Sequence, residues 1–400
     1  MATATPMSLA LTRRGAAVLK DALRADEIAA VKKELTVSPV SHGQGQGQVY
    51  GRKYEIYLES RSKLYVPKSY ALKRWPDAHI RAESSALPLD PDLAFAGSLR
   101  PEQLEPVRCV LDACLDPRRA GGVLNVACGG GKTTMALHVL RELGLRTLIV
   151  VHKDFLLEQW RERIAQFLPG ARVGLIKAGV VDVAHRDIVM ASLQSLAMKD
   201  YDPEVFRGLG TLIVDEVHHT SAEVFNRALF KTSLRYTIGL TATLDRKDGL
   251  SRVFVWHLGD VVYRSGGRVD ADVRVLPHTV GGHIAQLDPH PSRAVNQLCD
   301  DPVRNASIAR LLNTGIEAHR KTLVLSDRVR HLRLLASMVD QKTHGIYVGG
   351  MKAAALKACE DKQVIFATYA IASEGYDQRG LDTLVLASPR SDVRSTTSSR

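Results

Sequence analysis

Nowhere in this chain do apolar residues run on for the ~20 positions that a membrane-crossing helix requires. The short apolar stretch Leu9 to Leu11 is cut off by Thr12 and the pair Arg13-Arg14, so neither a membrane span nor a secretory leader is expected. Cysteine is equally sparse. Cys109, Cys114, Cys128, Cys299 and Cys359 are odd in number and none sits two residues from another, which argues against a disulfide framework and against a zinc knuckle. Acidic residues are in deficit: 43 Asp and Glu against 54 Lys and Arg leave a formal charge of +11. Clustered cations gain free energy by releasing counterions from phosphates, so a polyanionic partner is favoured. The expectation is a soluble, intracellular chain that is not secreted and has no membrane partner.

What is present is enough for two or three domains, since 400 residues of which 45 % are hydrophobic can build a core in each. Residues 1–95 are expected to form a small α+β unit. They are Ala-rich with a helical period up to Glu34, pass through a Gly-Gln loop at 42–48, and then turn tyrosine-rich. Between Tyr50 and Trp75, Arg52, Lys53, Arg61, Lys63, Lys68, Lys73 and Arg74 meet only Glu55 and Glu59, interleaved with Tyr54, Tyr57, Tyr65 and Tyr70. Alternation on both sides of Ser60-Arg61-Ser62 predicts a β-hairpin. Two readings of it weigh equally: a surface that stacks bases and grips phosphates, or a half-buried sheet with snorkelling Lys and Arg stems.

From Leu99 onward, β-branched runs at 148–151, 188–190, 211–214 and 236–240 alternate with helical stretches, the pattern of a parallel sheet covered on both faces. A passage at 266–301 containing Gly281-Gly282 and Pro289-His290-Pro291 interrupts the rhythm, which resumes with strands at 322–325, 345–348, 364–367 and 383–386. The expected fold is α/β, with two tandem parallel-sheet lobes at 96–266 and 267–400 behind the N-terminal unit.

The sharpest chemical signal is the apolar run Val123-Leu124-Asn125-Val126-Ala127 followed by Cys128-Gly129-Gly130-Gly131-Lys132-Thr133-Thr134 and a helical register to Leu143. Glycines let backbone N–H groups curl around phosphates, and the new helix turns its positive end toward them. Lys132 can then reach the terminal phosphates and the Thr133 hydroxyl can ligate Mg²⁺. The strict pattern asks for glycine where this chain has Val126, yet the strand–loop–helix context supports a phosphate loop over an incidental glycine turn. Further on, Thr211-Leu212-Ile213-Val214 ends in Asp215-Glu216. Adjacent acids at the end of a buried strand are costly unless they meet a cation. Asp215 suits Mg²⁺ coordination and Glu216 suits polarising the attacking water in phosphoryl transfer. A helix cap would explain Asp215 alone but not the pair. His218 and His219 are adjacent, point different ways and lack Cys or Glu at ligand spacing, so coupling contacts are expected of them rather than a metal.

Together with Gly239-Leu240-Thr241-Ala242-Thr243, the loop and Asp215-Glu216-Val217-His218 resemble the motifs of superfamily-two DExH helicases. The resemblance lies nearest the branch related to xeroderma pigmentosum group B, with phage and large-DNA-virus helicases including the poxvirus-type transcript-release enzyme. It implies RecA-like lobes, ATP and Mg²⁺ as cofactors, and ATP hydrolysis at the interlobe cleft driving movement along nucleic acid, DNA rather than RNA. It places a work site in transcription or repair, in the cytoplasm, the nucleus or a virus factory. Leu99-Arg100-Pro101-Glu102-Gln103 resembles the motif whose glutamine contacts adenine. By the resemblance Lys132, Asp215 and Glu216 are catalytic, and Gln103, Cys128, Gly129, Gly130, Gly131, Lys132, Thr133 and Thr134 bind the nucleotide, with Thr133 and Asp215 on Mg²⁺. Coupling falls to His218, Thr241, Thr243, Glu374, Gly375 and Asp377, the last three from Ala367-Thr368-Tyr369 to Asp377. Nucleic acid is assigned to His152, Lys153, Ser192, Gln194, Ser326 and Thr368.

The family pattern continues beyond Ser388-Pro389-Arg390 with a glutamine and a Gly-Arg pair that supply an arginine finger. Here the chain reads Arg394-Ser395-Thr396-Thr397-Ser398-Ser399-Arg400, so the second lobe is expected to be incomplete at this motif. Such a finger is worth about 10³ to 10⁵ in rate in other NTPases. An ATP-gated nucleic-acid clamp with little hydrolysis therefore stays open as the alternative. Behind it stand an RNA helicase and an unrelated P-loop enzyme. Oligomeric state is left open.

Overall fold

The structure, a computed structural model, describes residues 7–42, 48–82, 85–127, 129–216, 221–243, 248–266, 274–280, 284, 286–349, 351, 358–359, 361–372 and 380–389. Contacts divide the chain into two compact units, Met1–Arg268 and Val269–Arg400.

The first unit is built on an eight-stranded sheet in the order Val180–Asp182, Val173–Lys177, Ile188–Ser192, Thr147–Val151, Thr211–Val214, Tyr236–Thr241, Gly121–Asn125, Val261–Arg264. All neighbours are parallel except the edge pair formed by Val173–Lys177 and Val180–Asp182. Strands buried on both faces read as continuous apolar runs, and the side-chain period of two sorts them into two cores. Leu148, Val150, Val189, Ala191, Leu212 and Val214 face one core; Ile149, Val151, Ile188, Met190, Ile213 and Ile238 face the other. The second core is covered by the helices Pro101–Leu115, Lys132–Leu143 and Asp154–Phe167. The last turns Leu156, Leu157, Trp160 and Ile164 inward at helical spacing.

The first core is shared with the N-terminal residues. These form a five-stranded sheet in the order Leu58–Glu59, Lys63–Val66, Gly15–Leu19, Ser8–Thr12, His79–Ala82, and carry the helix Lys68–Arg74. The predicted hairpin around Ser60-Arg61-Ser62 is present only as Leu58–Glu59 against Lys63–Val66. Tyr54–Glu55 pairs instead with Thr36–Val37. Of the basic residues there, Lys68 is the exception to solvation: at 2 % exposure its Nζ donates to the carbonyls of Ala120, Leu234 and Arg235 at 3.1, 3.0 and 2.9 Å. Burial pulls its ammonium down to about 7. Those carbonyls lie where Gly121–Asn125 and Tyr236–Thr241 begin, so an N-terminal side chain fastens the base of these two neighbouring strands.

The second unit has a parallel four-stranded sheet in the order His344–Tyr347, Val364–Thr368, Thr322–Ser326, Thr383–Leu386. Val324 and Phe366 face one small core and Leu323, Leu325 and Ile365 the other, again by strand alternation. Among the described residues no helix is long and apolar enough to cross a membrane.

Candidate nucleotide site

Parallel α/β sheets bind ligands beyond the carboxyl ends of their strands, and there the first unit gathers its polar residues. The Gly121–Asn125 strand runs into the glycine loop, and the helix Lys132–Leu143 starts from Gly131 at φ 82°, a left-handed value that glycine adopts without strain. Space adds a constraint at Gly130, while at Gly131, already held by its φ, an added Cβ would displace only a side-chain tip. A Cβ on Gly130 would meet Val126 Cγ1 at 2.4 Å, and one on Gly131 would meet Gln103 Nε2 at 2.1 Å. Val126, standing where the strict pattern has glycine, is buried and so makes Gly130 obligatory. Gln103 is 3 % exposed. Its Oε1 accepts from the Arg100 N–H at 2.9 Å and its Nε2 donates to the Gly130 carbonyl at 3.1 Å, which attaches the predicted adenine-reading side chain to the loop.

Lys132 donates from Nζ to the Val126 carbonyl at 3.2 Å and lies 3.7 Å from Glu216 Oε1. Asp215 and Glu216 follow the Thr211–Val214 strand. The Asp215 N–H continues the strand pairing to Val150, and then Glu216 turns the chain at φ 49°. This left-handed conformation is uncommon for a side chain with a Cβ and is concentrated at functional turns. The Asp215 carboxylate accepts on both oxygens, from the indole Nε1 of Trp160 at 2.8 Å and from the Glu216 N–H at 2.9 Å. Burial raises the Asp215 carboxyl above its ordinary range, with the Glu216 charge adding to the effect while Trp160 and Lys132 oppose it. Glu216 is raised by burial and lowered in part by Lys132. Thr133 and Thr134 lie half-buried in the first helical turn.

This donor set fits a nucleotide and Mg²⁺. It has a lysine, backbone N–H groups on a glycine loop, and the hard oxygens of Thr133 and Asp215. Among the described residues no cluster of three or more His, Cys, Asp or Glu competes as a metal centre. Mg²⁺ takes most of its ligands from water and phosphate and needs no dedicated cage.

Thr241 ends the strand beside Gly121–Asn125. Its carbonyl accepts from Val126 N–H at 3.0 Å, and its hydroxyl bridges to the Thr243 backbone. Thr241 and Thr243, the residues expected to couple, thus stand beside the loop, at the carboxyl ends of adjacent strands. His152, Lys153, Ser192 and Gln194 also meet: Val151 pairs with Ser192, and Gln194 Nε2 donates to the His152 carbonyl at 2.9 Å. Lys153 directly precedes the helix Asp154–Phe167 without a side-chain capping bond, and Ser192 caps Leu193–Met198 by accepting from the Ser195 N–H. In the second unit Ser326 and Thr368 are register partners. Ser326 is fully buried, with Oγ 3.0 Å from His331 Nδ1 and accepting from Arg328 N–H at 3.2 Å. Cys128, His218, Glu374, Gly375, Asp377 and the segment from Arg390 to Arg400 lie outside the described residues.

Two participants were not assigned to the nucleotide site from the sequence: Ser265, and the buried Trp160, which closes the stretch Val151-His152-Lys153 to Gln159-Trp160 that the resemblance would turn toward nucleic acid. Ser265 accepts from the Ala127 N–H at 3.2 Å and donates its own N–H to Asn125, bracing the loop from the last strand. Trp160 holds Asp215. A buried indole must find an acceptor for its N–H, which is the signal that could have linked it to a carboxylate.

A glycine loop between parallel strand and helix, with a lysine and two carboxylates converging on it, defines a RecA-like nucleotide-binding lobe. The comparisons agree. Residues 96–246 match the family described as type III restriction enzyme, res subunit. The chain is 30% identical over 405 residues to the putative ATP-dependent RNA helicase L396 of Acanthamoeba polyphaga mimivirus, covering 96% of this chain and 77% of that one. It is 34% identical over 223 residues to the DNA 3'-5' translocase XPB2 of Sulfurisphaera tokodaii, covering 54% of this chain and 47% of that one. In fold it is similar to a fragment of a putative HsdR subunit of a type I restriction enzyme from Vibrio vulnificus, with TM-score 0.53, 15% identity, and coverage of 76% and 61%. The chain belongs to the superfamily-two helicases.

Proposed function

We propose that this chain is a nucleic-acid-dependent ATPase that translocates along DNA, opening or remodelling duplexes as it moves. The reading is carried by the convergence of Lys132, Asp215 and Glu216 on the glycine loop, with Lys132 Nζ 3.7 Å from Glu216 Oε1. Phosphoryl transfer asks a protein mainly for positioning and charge stabilisation. The loop N–H groups and Lys132 hold the β- and γ-phosphates and neutralise charge as it spreads onto the γ-phosphoryl oxygens. Glu216 orients a water in line with the γ-phosphorus and takes its proton. The water oxygen bonds to phosphorus, the bond to the bridging oxygen breaks, and ADP and phosphate result. Mg²⁺, held by Thr133 and Asp215, would neutralise phosphate oxygens. Gln103 selects adenine beside Gly130. Thr241 and Thr243, on the strand next to the loop, convey the nucleotide's state to the residues that grip the strand, among them His152, Lys153, Ser192 and Gln194.

DNA is preferred over RNA because the motifs resemble the DNA-acting branch and because one relative is named a DNA translocase. Another relative is named an RNA helicase, and the assay must therefore include both. Phosphate release from ATP is measured with no nucleic acid, with DNA and with RNA, on this chain and on Lys132→Ala. DNA-stimulated release that the substitution abolishes is expected. Greater stimulation by RNA would reassign the substrate, and ATP binding without release would make the chain a nucleotide-gated clamp. Contacts dominated by phosphates also require affinity to fall steeply as salt rises.

A further inference from the structure

We propose that Trp160 is a positioning residue for the Mg²⁺ site, fixing the Asp215 carboxylate through its indole N–H. The inference rests on the proposed ATPase reading and adds to it a side chain from a different element. Trp160 is 1 % exposed and Asp215 8 %, so the 2.8 Å bond between them is made away from bulk water. An indole can only donate, and here it donates to one oxygen of the carboxylate while the Glu216 N–H occupies the other at 2.9 Å. One N–H on each oxygen fixes the carboxylate plane and leaves further lone pairs for a cation or its water.

Packing alone does not account for this arrangement. The neighbours that share the core with Trp160 on its own helix, Leu156, Leu157 and Ile164, are aliphatic. A phenylalanine would place an aromatic ring there, smaller than the indole, without the polar atom. The helix that carries Trp160 begins at Asp154, directly after His152 and Lys153. At about 1.5 Å per residue, Lys153 and Trp160 are roughly 10 Å apart along one rigid rod. The carboxylate is therefore held by the same element whose first turn lies at the proposed nucleic-acid contact.

The test uses Trp160→Phe, which keeps an aromatic ring and removes the donor. Affinity for Mg²⁺ is titrated by calorimetry on the chain saturated with a non-hydrolysable ATP analogue, and analogue affinity is measured separately in EDTA. Partners that orient a metal ligand change metal affinity by about 10- to 100-fold when removed. The expected result is at least a ~10-fold weaker Mg²⁺ affinity with analogue affinity in EDTA unchanged. Equal Mg²⁺ affinity in the two proteins overturns the proposal. Should Trp160→Phe fail to fold, the double variant Trp75→Phe, Trp256→Phe leaves Trp160 as the sole tryptophan. Its emission should change on adding Mg²⁺ to the analogue complex, and unchanged emission counts against the proposal. If the unsubstituted chain binds no Mg²⁺ with the analogue, the ATPase reading fails and this inference falls with it. Binding in the unsubstituted chain with no difference in the variant sinks this inference alone.

Discussion

Acid should weaken the first unit through one side chain, His257. It lies on the helix Ser251–Leu258 with its ring edge-on to Phe225 and Phe230, at centroid distances of 5.7 and 5.1 Å. Its Nε2 is 2.9 Å from Asn226 Oδ1, an acceptor, so the neutral ring carries its proton on Nε2. Burial lowers its pKa to about 3, against about 6.5 in an unfolded chain. The unfolded form therefore takes up the proton first. The contribution to stability is fully present above about pH 6.5 and is lost progressively as pH falls toward 3. Each pH unit inside that window costs about 1.4 kcal/mol, so going from about pH 7.5 to about pH 5 should cost about 2 kcal/mol. The three tryptophans, Trp75, Trp160 and Trp256, all lie in Met1–Arg268, so their emission during urea unfolding reports this unit alone. His257→Phe removes the titration and leaves Asn226 Oδ1 short of a donor, which lowers stability by a constant amount. Its loss of stability over the same pH range should be smaller than that of the unsubstituted chain by about 2 kcal/mol. Parallel curves for the two proteins would refute the argument.

Lys68→Met keeps the aliphatic stem but leaves the carbonyls of Ala120, Leu234 and Arg235 without their donor. Urea unfolding followed by tryptophan emission should show a loss of about 3 kcal/mol or more, at about 1 kcal/mol or more for each carbonyl left dry. A change under about 1 kcal/mol would mean that water replaces the ammonium. Gln103→Ala removes the bonds to Arg100 and Gly130. Competition binding of ATP against GTP should show the preference for adenine reduced by about 10-fold, and unchanged selectivity would remove Gln103 from base recognition.

The inner strands of the larger sheet were legible because burial on two faces leaves a continuous apolar run, whereas its part-exposed outer strands Val173–Lys177, Val180–Asp182 and Val261–Arg264 were not read from the sequence. Thr147–Val151 has no exposed residue, and its alternate members feed different cores. The phosphate loop was legible because glycine, lysine and a following helix are local in sequence. What escaped is non-local. Nothing beside Tyr54 says that its strand pairs with Thr36–Val37 rather than across the Ser60-Arg61-Ser62 turn, since register is set by which face is buried. Trp160 and Asp215 belong to separate helix and strand elements, and only the packing of one on the other makes the indole and the carboxylate partners. The basic, tyrosine-rich stretch offered two readings of equal weight. Lys68 follows neither, because its ammonium is buried against main-chain carbonyls, an arrangement with no sequence signature.

The shared first core also constrains ancestry. Tyr70 and Trp256 meet edge to face at 5.9 Å, Asn226 Nδ2 donates to the Glu55 carbonyl, and the Arg13 carbonyl accepts from the Ser233 N–H. A recombination event that exchanged residues before Leu99 for those of another helicase would strand each of these partners. The leading segment and the sheet it covers are therefore expected to be inherited together. Shuffled chimeras joined at this point should fail unless substitutions at the facing positions, Asn226 and Trp256 among them, travel with them.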